Sequence, residues 1–202
     1  MTDKSLADIY DEFAKTYEQN RGQFDMTSVL DNFYTGMENK TGTMLDLGCG
    51  AGEPFPRYFV DRGWDVIGVD FSQRMLDLAS KYVPEMQAVY SDINAVDFKS
   101  QQFDVVTAIY SLFHVPSKYH GEMFRKFSRW LKADGKAMFT YATVAYTGRE
   151  EYDGYKEFLG KDLYYSHLTT DDLYAEWENS GLVVESAQHR EIGGETFLWV
   201  TV

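Results

Sequence analysis

Asp46, Gly48, Gly50, Asp70 and Asp92 are the residues whose types and spacing could do chemistry in this chain. The run Gly48-Cys49-Gly50-Ala51-Gly52 follows a short apolar stretch, residues 43–47, that reads as a strand with an acidic residue near its end. The charged, proline-containing segment after it starts a helix. A glycine turn between a strand and a helix lets backbone N–H groups approach a ligand closely. Asp70 ends a second apolar run, where a carboxylate can accept both hydroxyls of a ribose through charge-assisted hydrogen bonds of roughly 1.5–3 kcal/mol each. Asp92 follows a third run and is placed to accept from an exocyclic amine. The three carboxylates converge on the carboxyl edge of adjacent strands, where open α/β sheets bind their ligands.

The glycine spacing narrows the ligand. A dinucleotide fingerprint has its third glycine at the position held here by Glu53. That fingerprint sets a pyrophosphate at the helix N-terminus, and Glu53 would place a carboxylate close to it. This counts against a nicotinamide-dependent oxidoreductase. The edge instead suits a ligand with a ribose, an adenine and a positive centre but no phosphate. S-adenosylmethionine has that description.

Elements on either side must position these groups. Leu6, Ile9, Tyr10, Phe13 and Tyr17 recur at helical spacing, as do Met26, Val29, Leu30, Phe33 and Met37. From residue 43 onward, strand patterns at 43–47, 65–69, 86–90, 103–110 and 135–143 alternate with helical patterns at 54–62, 72–82 and 118–131. Such alternation predicts a single Rossmann-like, doubly wound α/β domain with helices on both faces of a mostly parallel sheet. Gly63, Gly135 and Gly181 fall where helix C-termini want a residue that tolerates φ > 0. Residues 144–168 read as a long, irregular, aromatic-rich insertion or lid. Thr169 or Thr170 caps a helix through Ser180. Two closing strands, 182–190 and 195–202, then turn at Gly193-Gly194, completing seven strands with an antiparallel last one. The expected organisation is a helical cap (1–40), a cofactor-binding core (41–143), the insertion (144–168) and the closing helix and hairpin (169–202).

Composition excludes several classes. With 44% hydrophobic and 16% aromatic residues, the 202-residue chain is globular rather than disordered. No apolar run approaches the ~20 residues that span a bilayer, and no secretory signal is visible. Cys49 is the only cysteine, so neither a disulfide framework nor a cysteine metal cluster is expected, and a reduced cytoplasmic setting is the default. The net charge of −13 disfavours binding to nucleic acid or an anionic membrane. A small-molecule partner is expected, with the chain a monomer or homodimer.

The motifs together resemble those of class I S-adenosylmethionine-dependent methyltransferases, in the small-molecule, type 11/25-like branch. The resemblance lies in Leu45-Asp46-Leu47-Gly48-Cys49-Gly50-Ala51-Gly52, in Gly68-Val69-Asp70-Phe71-Ser72 with Met75-Leu76, and in Ser91-Asp92-Ile93. Phe103-Asp104-Val105-Val106, Ser111-Leu112-Phe113-His114-Val115-Pro116 and Tyr10-Asp11-x-x-Ala14-x-x-Tyr17 extend it. Asp134-Gly135 departs from the Pro-Gly more usual before the fifth strand. The resemblance implies that Gly48 and Gly50 approach the methionine part and the ribose, with Asp46 and Cys49 in the same turn. It implies that Asp70 holds the ribose hydroxyls, that Phe71 and Met75 pack on the adenine, and that Asp92 and Ile93 read its edge. Tyr110 and Ser111 would line the methyl-transfer face, while Tyr17 and Arg21 would grip the methionine carboxylate. The reaction would yield S-adenosylhomocysteine and a methylated O, N, C or S atom.

No catalytic dyad is visible, and none is needed. A sulfonium already activates its methyl group, and in-line positioning can lower the barrier by ~7–11 kcal/mol. His114, His167 and Tyr165 are candidates for acid–base or substrate contact. His189-x-Glu191 reads as strand alternation rather than a metal pair, so no metal is expected. The competing readings are a non-catalytic S-adenosylmethionine-binding protein and, further off, the oxidoreductase.

Overall fold

The computed structural model describes residues 5–22 and 25–202, which fall into two compact units, Met1–Ala95 and Val96–Val202. Residues 1–4 and 23–24 of the expected helical cap lie outside the described residues.

In the first unit, Ser5 starts helix α1 (Leu6–Phe13) with a capping box. Its hydroxyl accepts from the Asp8 N–H at 3.2 Å, and Asp8 accepts from the Ser5 N–H at 3.1 Å. Helices α2 (Tyr17–Asn20) and α3 (Thr27–Thr35) follow, α3 burying Val29, Leu30 and Phe33. Strand β1 (Thr43–Leu47), helix α4 (Phe55–Val60), strand β2 (Asp65–Asp70), helix α5 (Gln73–Tyr82) and strand β3 (Gln87–Tyr90) alternate as expected. The three strands pair in parallel, with Leu47 opposite Val69 and Asp70 opposite Tyr90. Helix α4 packs on β1 and β2, α5 on β2 and β3, and α1 on α5.

In the second unit, strand β4 (Phe103–Ala108) pairs in parallel with β5 (Leu131–Tyr141), connected through helix α6 (His120–Trp130). A short helix α7 (Val144–Thr147), strands β6 (Tyr152–Phe158) and β7 (Lys161–His167), helix α8 (Thr170–Ser180), and strands β8 (Ser186–Ile192) and β9 (Glu195–Thr201) complete the chain. Trp130, Phe124, Phe127, Phe139, Tyr141 and Trp177 form its aromatic core, contributed by α6, β5 and α8. The seven-stranded sheet has the order β3-β2-β1-β4-β5-β9-β8, mostly parallel, with β9 running antiparallel to β5 and β8. This is the expected fold class.

Several expectations need correction. Residues 144–168 are not irregular: β6 and β7 form a separate antiparallel hairpin. Along β6, half-buried Tyr152, Gly154, Lys156 and Phe158 alternate with exposed Asp153, Tyr155 and Glu157, the period of a strand. Its two-residue loop, Leu159-Gly160, has φ of 51° and 74°. A turn with both residues left-handed usually announces itself by Asn-Gly or Asp-Gly, and Leu-Gly does not. Gly135 is not a left-handed helix cap like Gly63 and Gly181. It lies within β5, where a Cβ would come within 3.0 Å of the Phe103 carbonyl oxygen. Strand β4 stops at Ala108 rather than Tyr110, because Tyr110 turns left-handed with φ 56°. The first closing strand begins at Ser186, not at residue 182.

Candidate functional site

The turn after β1 is built around Asp70. Gly48, Gly50 and Gly52 all have positive φ, a conformation in which a side chain would be strained. The N–H groups of Gly48 and Cys49 both donate to the Val69 carbonyl, at 2.7 and 3.0 Å. The Gly50 N–H donates to one oxygen of Asp70 at 2.9 Å, and the Ser72 N–H to the other at 2.8 Å. Asp70 thus joins the glycine turn to the turn that follows β2, with the Phe71 N–H as a third donor. Burial pushes its pKa up, against the opposing pull of the Ser72, Gly50 and Phe71 N–H groups. A Cβ on Gly50 would meet nothing within 4 Å, whereas one on Gly52 would come within 2.7 Å of Val83. Gly50 therefore faces open space, and Gly52 faces α5 packing.

Asp46 and Cys49 are buried beside this turn. Burial, with Asp70 and Asp46 nearby, pushes the Cys49 thiol well above its ordinary pKa, so it stays protonated. Asp92 is exposed and accepts from the Asn94 N–H at 2.8 Å, with Ile93 buried next to it.

The N-terminal helices press on the same turn. Ala14 packs with Ala51 and Met75 in a small core that also takes Tyr10, Phe13, Tyr17, Leu78 and Tyr82. Met75 is thus part of the packing that seats α1. Tyr10 meets Phe71 edge-on at 5.5 Å. Asp11 accepts from the Ser72 hydroxyl at 2.5 Å and from the Arg74 N–H at 3.3 Å. Arg21 forks onto Glu53, Nε to Oε2 at 2.5 Å and Nη2 to Oε1 at 2.6 Å, while the Tyr17 hydroxyl donates to Oε2 at 3.2 Å. The guanidinium also lies 4.1 Å from the centre of the Tyr82 ring. Arg21 holds the Glu53 carboxyl below the usual carboxylate range. Tyr17 and Arg21 therefore do meet at the glycine turn, through a partner that spacing did not suggest.

In the second unit, the Tyr110 N–H donates to Thr140 Oγ1 at 2.6 Å, and its ring meets Phe197 and Trp199 edge-on. Ser111 is buried, and its carbonyl accepts from the His114 N–H. His114 Nδ1 lies 2.6 Å from the Tyr164 carbonyl, an acceptor only, so that nitrogen carries the proton. Burial pushes His114 down to about 4. Tyr165 is buried, stacked on Phe113 and tilted against His114. Both nitrogens of His167 are engaged: Nδ1 donates to the Leu168 carbonyl at 2.9 Å, and Nε2 accepts from Thr147 at 2.7 Å. His189 pairs with Thr143. Among the described residues, no group of three or more His, Cys, Asp or Glu is arranged to hold a metal ion.

His120 is a residue that sequence reasoning missed. Wholly buried, it donates from Nε2 to the Val115 carbonyl and accepts at Nδ1 from the Tyr141 hydroxyl, both at 2.7 Å. Tyr141 in turn accepts from the Leu168 N–H, and Ser166 donates to Val115 at 2.5 Å. The network ties β7 to α6 and β5. Its only signal in the sequence is helical spacing with Phe124 and Phe127 on the buried face of α6.

Residues 44–135 match the methyltransferase domain family. A demethylmenaquinone methyltransferase of Lactobacillus johnsonii is 30% identical over 66% of this chain and 59% of its own length, so the match spans less than two thirds of that relative. The 27-O-demethylrifamycin SV methyltransferase of Amycolatopsis mediterranei is 26% identical over 93% of this chain and 76% of its own. In fold, the chain is similar to an S-adenosylmethionine-dependent methyltransferase from Clostridium acetobutylicum, with a TM-score of 0.71 and 15% identity over 96% of this chain and 98% of that one. Among the described residues, no helix is long and apolar enough to cross a membrane. The strand order and the domain match agree, and the chain is similar in fold and over residues 44–135 to the class I S-adenosylmethionine-dependent methyltransferases.

Proposed function

We propose that the chain moves a methyl group from S-adenosylmethionine to a small-molecule acceptor, as a cytoplasmic monomer or homodimer whose 202 residues act as one domain. The observation that carries this reading is the Asp70 carboxylate, which spans Gly50 and Ser72 at the end of β2 and keeps acceptor capacity there. The residues fit the cofactor. Open space at Gly50 leaves room for a ligand against the backbone, and the remaining acceptor capacity of Asp70 suits a ribose hydroxyl. Arg21 is a fork of the kind that binds a carboxylate, and Asp46 in the same turn suits a positive sulfur.

When bound, the cofactor supplies an activated methyl group. The chain's part is to hold and orient. Gly48, Cys49, Gly50 and Asp46 would form the cradle, with Tyr17 and Arg21 at the carboxylate end. Asp70 and Phe71 would fix the ribose and one adenine face, with Met75 behind them, and Asp92 and Ile93 would take the adenine edge. Tyr110 and Ser111 would border the acceptor. The tight packing of His114, His167 and Tyr165 supports a positioning role for them, with methyl transfer relying on proximity. A small organic acceptor is supported by the names of the two relatives, one for demethylmenaquinone and one for 27-O-demethylrifamycin SV. The test is turnover of S-adenosylmethionine to S-adenosylhomocysteine across a panel of quinols, phenols, amines and thiols. Acceptor-dependent product is expected; tight cofactor binding with no turnover on any acceptor would favour the non-catalytic reading.

A further inference from the structure

Arg21 has one guanidinium fork, and Glu53 fills both prongs of it at 2.5 and 2.6 Å. Three features make this more than a surface ion pair. The Tyr17 hydroxyl converges on the same carboxylate, whose side chain is only 16% exposed although that of Arg21 is 46% exposed. Glu53 directly follows the left-handed Gly52, so its backbone belongs to the glycine turn itself. One helical turn further on, Arg57 has a buried Nε with no hydrogen-bond partner, and its charge helps hold the Glu53 carboxyl low. The Nη groups of Arg57 are occupied by Asp61, Glu85 and the Tyr82 carbonyl. Glu53 therefore sits between two arginines, one that it grips and one with an unused donor.

We propose that Glu53 is an internal competitor for Arg21: it is displaced when the α-carboxylate of an adenosyl ligand takes the guanidinium fork, and it then moves toward Arg57. This rests on the cofactor reading above. The exchange swaps one carboxylate for another on Arg21, and the displaced Glu53 turns to the unused Nε of Arg57, whose Nη groups already carry Asp61 and Glu85. Glu53 then sets selectivity, because a ligand with a carboxylate must outcompete it and a ligand without one need not. An arginine already closed on an internal partner is available only for the remaining fraction of the time, which weakens the apparent affinity by that fraction.

Calorimetry on the intact chain, with S-adenosylhomocysteine and with its decarboxylated analogue S-adenosyl-3-thiopropylamine, tests this directly. Glu53→Gln keeps the shape and removes the competing charge. It is expected to tighten S-adenosylhomocysteine by about threefold to tenfold and to leave the analogue unchanged. Arg21→Met should weaken S-adenosylhomocysteine by about tenfold or more, again without changing the analogue, and Arg21→Lys should fall between. Circular dichroism of each variant separates lost folding from lost recognition. If Glu53→Gln weakens S-adenosylhomocysteine, or shifts both ligands equally, Glu53 is not a competitor and the proposal fails. If Arg21→Met and Arg21→Lys leave the preference for the carboxylate intact, Arg21 does not meet it and the proposal fails likewise. Wild-type chain that binds neither ligand would overturn the cofactor reading itself, and this inference with it.

Discussion

The two units hold their polar groups in different ways. In the first, the groups sit at strand ends and backbone holds them: Asp70 on the N–H groups of Gly50 and Ser72, Asp92 on that of Asn94. In the second, they sit inside and side chains or distant carbonyls hold them: His120 on Tyr141 and Val115, His167 on Thr147, His114 on Tyr164. A carboxylate held at a strand end by backbone N–H groups, as Asp70 is by those of Gly50, Ser72 and Phe71, keeps acceptor capacity for a ligand. A histidine with both nitrogens engaged, as in His120 and His167, has none to give without breaking its network. The first unit thus has the marks of a binding surface, and the second those of a frame.

Substitutions should separate the two. Trp177, 2% exposed in the core of the second unit, should cost about 3–5 kcal/mol when changed to Ala, measured by chemical denaturation. S-adenosylhomocysteine affinity at a temperature where the variant is folded should stay near wild type. A large loss of affinity would make the second unit more than a frame.

Acid should act on the frame next. His120 is held neutral, its pKa pushed down to about 4 from an ordinary 6.5 by burial. The unfolded chain therefore takes up the proton first, and stability falls from about pH 6.5 to about pH 4, by ~3 kcal/mol for His120 and a similar amount for His114, which burial also pushes down to about 4. Denaturation midpoints across that range should show the decline, and His120→Gln should reduce its slope. An unchanged slope in the variant would mean that His120 is not among the groups responsible.

Gly52→Ala should cost about 1–3 kcal/mol, because φ is 81° and the new methyl group would press on Val83. Unlike Trp177→Ala, it should also weaken S-adenosylhomocysteine, since the strain falls on the turn. Thermal melts with and without the ligand would show both effects. The smallest change is expected for Ser166→Ala, about 1 kcal/mol from its bond to Val115, with no effect on the ligand.

The same contrast explains how much could be read from sequence. The turn at Gly48–Gly52 and the position of Asp70 were legible because parallel neighbours share a register: Leu47 lies opposite Val69, so the residues just beyond each must meet. The order of strands and helices followed from period. The hairpin of β6 and β7 was hidden, since aromatic residues occupy both of its faces and Leu159-Gly160 lacks the usual turn signature. His120 was hidden because Tyr141 and Ser166 lie 21 and 46 residues away, on strands whose side-chain directions no local pattern specifies. Glu53 was read as an absent glycine, while its role as the partner of Arg21 needed the path of the N-terminal helices.

Binding of S-adenosylhomocysteine to the wild-type chain and to Asp70→Ala, by titration calorimetry, tests the central claim most directly. The wild-type chain should bind it, and loss of the Asp70 carboxylate should weaken binding by about tenfold or more. Unchanged affinity in Asp70→Ala would contradict the ribose assignment, and no binding of S-adenosylhomocysteine or S-adenosylmethionine by the wild-type chain would contradict the account as a whole.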